Sequence, residues 1–144
     1  MKKILIFGLP GSGKSYLAEP LAAELGGVWI NADQVRGHYD DWDFSDEGRM
    51  RQAMRMKFLS DGVVRAGKYA ITDFVCPFQN ARSDFQPDYS VWMDTIEEGR
   101  YEDTNKIFEK PWIFGQPDAV DHIIHTWRQD VHVTLAAIIR AKYE

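Results

Sequence analysis

Cysteine is almost missing from this chain. Cys76 stands alone among 144 residues, so no internal disulfide can form and a disulfide-stapled secreted scaffold is excluded. A reducing, cytoplasmic setting is the expectation. Positive charge is short as well. Seventeen Lys+Arg against 22 Asp+Glu leave a formal charge of −5, which argues against a protein that coats nucleic acid through net charge, though not against local phosphate sites. Long apolar runs are absent too. The longest early one, residues 4–7, follows Lys2-Lys3 as a leader's core might, but Gly8, Pro10, Gly11 and Lys14 cut it short, and neither a membrane span nor a membrane partner is expected. What the chain does have is 44% hydrophobic and 13% aromatic residues, enough for one core. At roughly 100–200 residues per domain, residues 1–144 read as a single domain.

Residues 2–7 (KKILIF) form a short β-branched run ending at Gly8, a buried strand feeding a glycine-rich turn. Leu17, Ala18, Leu21, Ala22 and Leu25 then recur at helical spacing over residues 13–25, stopped by Gly26-Gly27. Pro20 removes a backbone donor there, so a kink or a local adjustment is expected. Further strands are expected at 28–30, 69–73, 89–93 and 120–125, with a helical turn at 33–38, a long helix from Ser45 to about 66, a short helical segment after Pro77 and a final helix over 129–143. Residues 97–118 read as a mobile, lid-like connection. Strands alternating with helices predict a three-layer α/β/α sandwich with a mainly parallel five-stranded sheet, its sites at the carboxyl ends of the strands.

The strongest local signal is Gly8-Leu9-Pro10-Gly11-Ser12-Gly13-Lys14-Ser15, which fits G-x-x-x-x-G-K-[ST] between a predicted strand and a predicted helix. This is the P-loop pattern. Its glycines let successive N–H groups point inward at phosphate oxygens, aided by the helix dipole. Gly8, Pro10, Gly11, Ser12, Gly13, Lys14, Ser15 and Tyr16 are the candidate ATP-binding residues, with Lys14 set to stabilise charge during transfer and Ser15 to ligate Mg²⁺. No base-reading or switch motif of a GTPase is present. A small phosphotransferase is the economical reading.

Asp33 and Arg36 lie one helical turn apart, so a carboxylate and a guanidinium can face one cleft. Asp33 suits the proton of an acceptor hydroxyl, and Arg36 an anionic group beside it. An N-capping Asp33 with an incidental Arg is the structural alternative. In the long helix Arg49, Gln52 and Met56 share a face, with Phe44 upstream to stack on a base, while Arg51 and Arg55 read as solvent-facing. Asp73, at a strand end, is either a water-mediated Mg²⁺ contact or a turn cap. His122 and His125 are three apart on a strand and point to opposite faces, against a zinc site. Trp92 and Trp127 read as core or interface fillers.

With these motifs in place the chain resembles the adenylylsulfate kinases, which phosphorylate the 3′-hydroxyl of adenosine 5′-phosphosulfate using ATP. The resemblance rests on GLPGSGKS, NADQVR, FSDEGRMRQ, VCPFQNAR, the VWMDT strand end and EDTNKIFEK, in that order along the chain. It implies that Asp33 lies near the acceptor hydroxyl, that Arg36 and Arg49 hold phosphosulfate or phosphate groups, and that Phe44 and Phe114 (Trp112 its rival) clamp the adenine. Gln52, Val75, Cys76, Pro77 and Lys106 complete the implied substrate contacts. Asn31, Pro10, Gln52, Cys76, Glu102 and Asn105 are departures from the family's patterns. A rival resemblance, to polynucleotide 5′-kinases, shares the loop and the Asp-x-x-Arg; it would make the acceptor a nucleic-acid 5′-hydroxyl, but leaves 44–49 and 75–82 unexplained. An ATP-binding regulator without turnover is a third reading. The expected partner is thus a small nucleotide substrate, with a homodimer as candidate assembly.

Overall fold

The computed structural model describes residues 1–111 and 120–144. Five strands form one parallel sheet: β1 (Lys3–Phe7), β2 (Val28–Asn31), β3 (Ala70–Phe74), β4 (Tyr89–Met93) and β5 (His122–Ile124), in the spatial order β2-β3-β1-β4-β5. The central strand β1 has every residue buried, as a strand covered on both faces should. Its side chains divide by the two-residue period. Ile4 and Ile6 enter the core beneath helices α1 (Lys14–Leu25) and α6 (Val131–Tyr143). Leu5 and Phe7 enter the opposite core, under α2 (Ala32–Tyr39), α3 (Asp46–Arg65) and α4 (Gln79–Phe85). The expected α/β/α sandwich is the observed one.

Local rules account for most element ends. The Ser45 side chain accepts from the Gly48 amide and starts α3, and Gly26, in left-handed geometry, ends α1. Helix α1 continues through Pro20 without a break in its span. Pro20 leaves the Tyr16 carbonyl without its intrahelical donor.

The expected lid-like connection at 97–118 is described only as far as residue 111. Residues Glu102–Ile107 make a short helix, α5, whose Thr104 is buried against Arg49, so this stretch packs on the fold. None of the helices among the described residues is long and apolar enough to cross a membrane.

Candidate active site

The loop between β1 and α1 curls because three of its glycines hold positive φ, with Gly11 at 87° and Gly13 at 99°. A side chain at either would be strained. Gly8 is excluded from substitution by space as well, since a Cβ there would stand 2.7 Å from the Met93 carbonyl oxygen. Thr95 Oγ1 donates to the Ser12 carbonyl at 2.7 Å and ties the loop to the end of β4. The Ser12 hydroxyl is buried without a hydrogen-bond partner among the described residues. Lys14 Nζ donates to the Leu9 carbonyl at 3.0 Å. Burial lowers the Lys14 ammonium to about 8, Asp73 and Asp33 oppose that fall, and Arg100 adds to it.

Behind the loop, Ser15 Oγ and Asp73 Oδ1 stand 3.5 Å apart. Asp73 is buried, and burial raises its carboxyl despite bonds donated by Trp29 Nε1 and Asn31 Nδ2. Asn31 has two tasks: its Nδ2 reaches Ser15 Oγ at 3.2 Å, while its Oδ1 caps α2 by accepting from the Gln34 amide at 3.0 Å. The cap is therefore Asn31, and Asp33 is left exposed at the first turn of the helix. Ser15 and Asp73 are an oxygen pair of the kind Mg²⁺ uses when phosphate oxygens and water fill the rest of its shell, so the residues present fit that ion. Among the described residues no group of three His, Cys, Asp or Glu side chains is placed to hold a metal alone.

The second half of the site is a cavity of about 70 Å³ lined in part by Asp33, Arg36, Phe44, Arg49, Gln52 and the Val75-Cys76-Pro77 loop. Of the ten residues on the acceptor side of the sequence reading, these eight line one cavity, Lys106 lies exposed on α5, and Phe114 (with Trp112) falls outside the described residues. The two arginines are buried, and burial lowers both guanidinium groups from their ordinary value while leaving them charged at neutral pH. Each is braced by its own chain. Arg36 Nη1 donates to the Asp41 and Asp43 carbonyls at 2.8 and 3.2 Å; Arg49 donates to the Phe44 carbonyl at 2.9 Å and to Thr104 Oγ1 at 3.2 Å. Phe44 lies across both, its ring centre 4.3 Å from the Arg36 guanidinium and 5.4 Å from that of Arg49. Gln52 Nε2 donates to the Ala32 carbonyl, and Met56 belongs to the core.

Arg55 is not solvent-facing. Asp41 draws both Arg51 and Arg55 into ion pairs at 2.7 and 2.6 Å, and Arg55 also covers the Tyr39 ring. Arg82, fully buried, donates to the Cys76 and Glu109 carbonyls and so pins the 75–77 loop, where Cys76 holds φ 44°. Two residues near the phosphate loop carry no motif. Trp92 is buried as expected, but Trp127 is 41% exposed, meets Tyr16 edge-on at 6.5 Å and lies beside Gly13. Arg100 lies over Gly11. Trp127 was findable as an aromatic just beyond a strand's carboxyl end, and Arg100 as a lone cation amid Glu97, Glu98, Glu102 and Asp103.

Comparison with known proteins agrees with this geometry. The adenylylsulphate kinase family matches residues 2–99. The chain is 36% identical over 85 residues to the adenylyl-sulfate kinase of Bacillus licheniformis, a match covering 55% of this chain and 43% of that protein. It spans about half the length, or less, of the curated relatives it matches. Among solved structures, the fold is similar to Mycobacterium tuberculosis APS kinase CysC in complex with AMPPNP and APS (TM-score 0.71, 17% identity, 96% of this chain and 97% of that one). It is also similar to shikimate kinase from Aquifex aeolicus (TM-score 0.64, 15% identity, 97% of each).

Proposed function

This chain belongs to the adenylylsulphate kinase family, and from that premise we propose that it transfers the γ-phosphate of ATP to the 3′-hydroxyl of adenosine 5′-phosphosulfate. The observation that carries the reading is the place of Asp33. It lines the acceptor cavity with Arg36 and Arg49, while its negative charge acts on Lys14 across the site. One carboxylate thus stands between a phosphate cradle and a pocket for an anionic acceptor.

The chemistry follows from that arrangement. Backbone amides of the 8–15 loop and the Lys14 ammonium hold the polyphosphate and neutralise the charge that grows on it. The acceptor oxygen forms a bond to the γ-phosphorus as the bond to the ADP oxygen breaks, and Asp33 takes the hydroxyl proton. Ser15 and Asp73 would hold Mg²⁺, which supplies further charge neutralisation when bound. Arg36 and Arg49 are placed for the acceptor's phosphosulfate. At about 70 Å³ the cavity is smaller than the roughly 300–1,000 Å³ usual for such ligands. Phe44, half exposed, must therefore swing off the two guanidinium groups to admit the acceptor.

The test is ADP release from ATP and Mg²⁺ by the purified protein, with adenosine phosphosulfate or a 5′-hydroxyl oligonucleotide as acceptor. Turnover with the phosphosulfate is expected. Turnover with the oligonucleotide alone overturns the reading in favour of a polynucleotide kinase, and ATP binding without turnover on either favours a regulator.

A further inference from the structure

Beyond the glycine loop and Lys14, the structure assigns a second cation to the phosphate cradle: Arg100, held over the loop by a side-chain clamp from Asn105. This rests on the reading of residues 8–15 as a nucleotide site. Arg100 Nη2 lies 3.6 Å from the point a Cβ on Gly11 would occupy, an ordinary contact distance that puts the guanidinium against the crest of the loop. Its position is not that of a loose surface arginine. The preceding residue, Gly99, donates its amide to Asn105 Oδ1 at 2.7 Å and accepts from Asn105 Nδ2 at 3.1 Å, both backbone groups satisfied by one amide side chain.

The clamped corner also sits against the loop itself. A Cβ on Gly99 would meet the Pro10 carbonyl oxygen at 3.0 Å and Pro10 Cδ at 3.2 Å. Pro10, Gly99 and Asn105 are thus one contact unit, and Arg100 is what it presents. Although Arg100 is flanked in sequence by Glu97, Glu98, Glu102 and Asp103, no carboxylate among the described residues pairs with it. An exposed guanidinium held over Gly11, with no carboxylate partner among the described residues, is a site for polyphosphate oxygens, which it can bind in bidentate fashion. Asn105 is a positioning residue: it acts through Gly99.

Binding of a non-hydrolysable ATP analogue, ADP and AMP is measured for the wild type, Arg100→Ala, Arg100→Lys and Asn105→Ala, with thermal unfolding as a check on folding. Arg100→Ala is expected to lose about tenfold in affinity for the triphosphate analogue and little for AMP, as removal of a charge-assisted contact predicts. Arg100→Lys recovers part of the loss, and Asn105→Ala shows a smaller loss with the same triphosphate bias. Unchanged triphosphate affinity in Arg100→Ala, or an equal loss for AMP, overturns the assignment. Wild-type affinity in Asn105→Ala overturns the clamp. Should the wild type fail to phosphorylate adenosine phosphosulfate while Arg100→Ala still loses its triphosphate bias, the acceptor reading fails and Arg100 stands.

Discussion

The two halves of the site are built from different materials. The phosphate half is made of backbone: a loop whose glycines hold angles other residues resist, tied at Thr95 and requiring few side chains. The acceptor half is made of side chains that already have partners. Arg36 Nη1 and Arg49 Nε donate to the carbonyls of residues 41, 43 and 44, and Phe44 roofs the two guanidinium groups. The first half is shaped by its own backbone; the second is covered by its own residues. On the proposed function, preorganised amides would serve any nucleoside triphosphate, whereas the choice of acceptor would lie with groups whose release from internal partners has a free-energy cost.

Replacing Lys14 by Met should break the phosphate half most severely. Loss of the cation is expected to cut transfer by about 10²–10³, as removal of a preorganised transition-state donor does. Yet the variant should unfold at higher temperature than the wild type. The folded-state ammonium sits at about 8 against an ordinary 10.5, so the unfolded chain holds that proton more tightly. Its burial costs stability throughout the range below about 8, and the cost fades as pH rises towards 10.5. Unfolding of both proteins from pH 7 to 10.5 checks this, with a gap on the order of 1–3 kcal/mol at pH 7 that shrinks through the window.

Arg49→Ala should behave oppositely, lowering stability and acceptor binding together. It strips donors from the Phe44 carbonyl and Thr104, an expected loss of about 1–3 kcal/mol by chemical denaturation. Acceptor KM should rise with ATP KM nearly unchanged.

Phe44→Ala offers a finer test of the roof. Uncovering the guanidinium groups removes contacts worth about 0.5–1 kcal/mol each at exposed sites, so stability should fall only slightly. If Phe44 stacks on the acceptor once it has swung away, acceptor KM rises about tenfold, in line with a base–aromatic contact of about 1–3 kcal/mol. A fall in KM instead would make Phe44 only a barrier.

The smallest effect is a proton. With Lys14 at about 8, polyphosphate binding at pH 8.5 should draw up a fraction of a proton and at pH 6.5 almost none, seen as a buffer-dependent binding enthalpy. Lys14→Met should abolish that dependence.

This contrast also governs what could be read before the fold was known. The alternation of apolar runs, the 8–15 loop and the Ser45 cap were legible because each depends on residues close in sequence. Asp33, Arg36 and Arg49 were legible as chemistry, but their internal partners were not, since the turn at 40–45 follows from how α2 and α3 pack. The same limit hid Asn31, whose two tasks join a local cap to Asp73 some forty positions away. Arg100 escaped because it belongs to no motif, and only the meeting of Gly99 with Pro10 brings it to the loop. The polarity of residues 97–118 likewise did not reveal α5 or the contact of its buried Thr104 with Arg49, which depends on a residue 55 positions away.

Asp33 joins the halves, so Asp33→Asn is the most direct trial of the account. Single-turnover transfer of labelled γ-phosphate from ATP to adenosine phosphosulfate is measured alongside affinity for a non-hydrolysable ATP analogue. The account predicts unchanged analogue affinity and a transfer rate lower by about 10²–10⁴, the usual contribution of a positioned general base. Transfer at the wild-type rate by Asp33→Asn would contradict it.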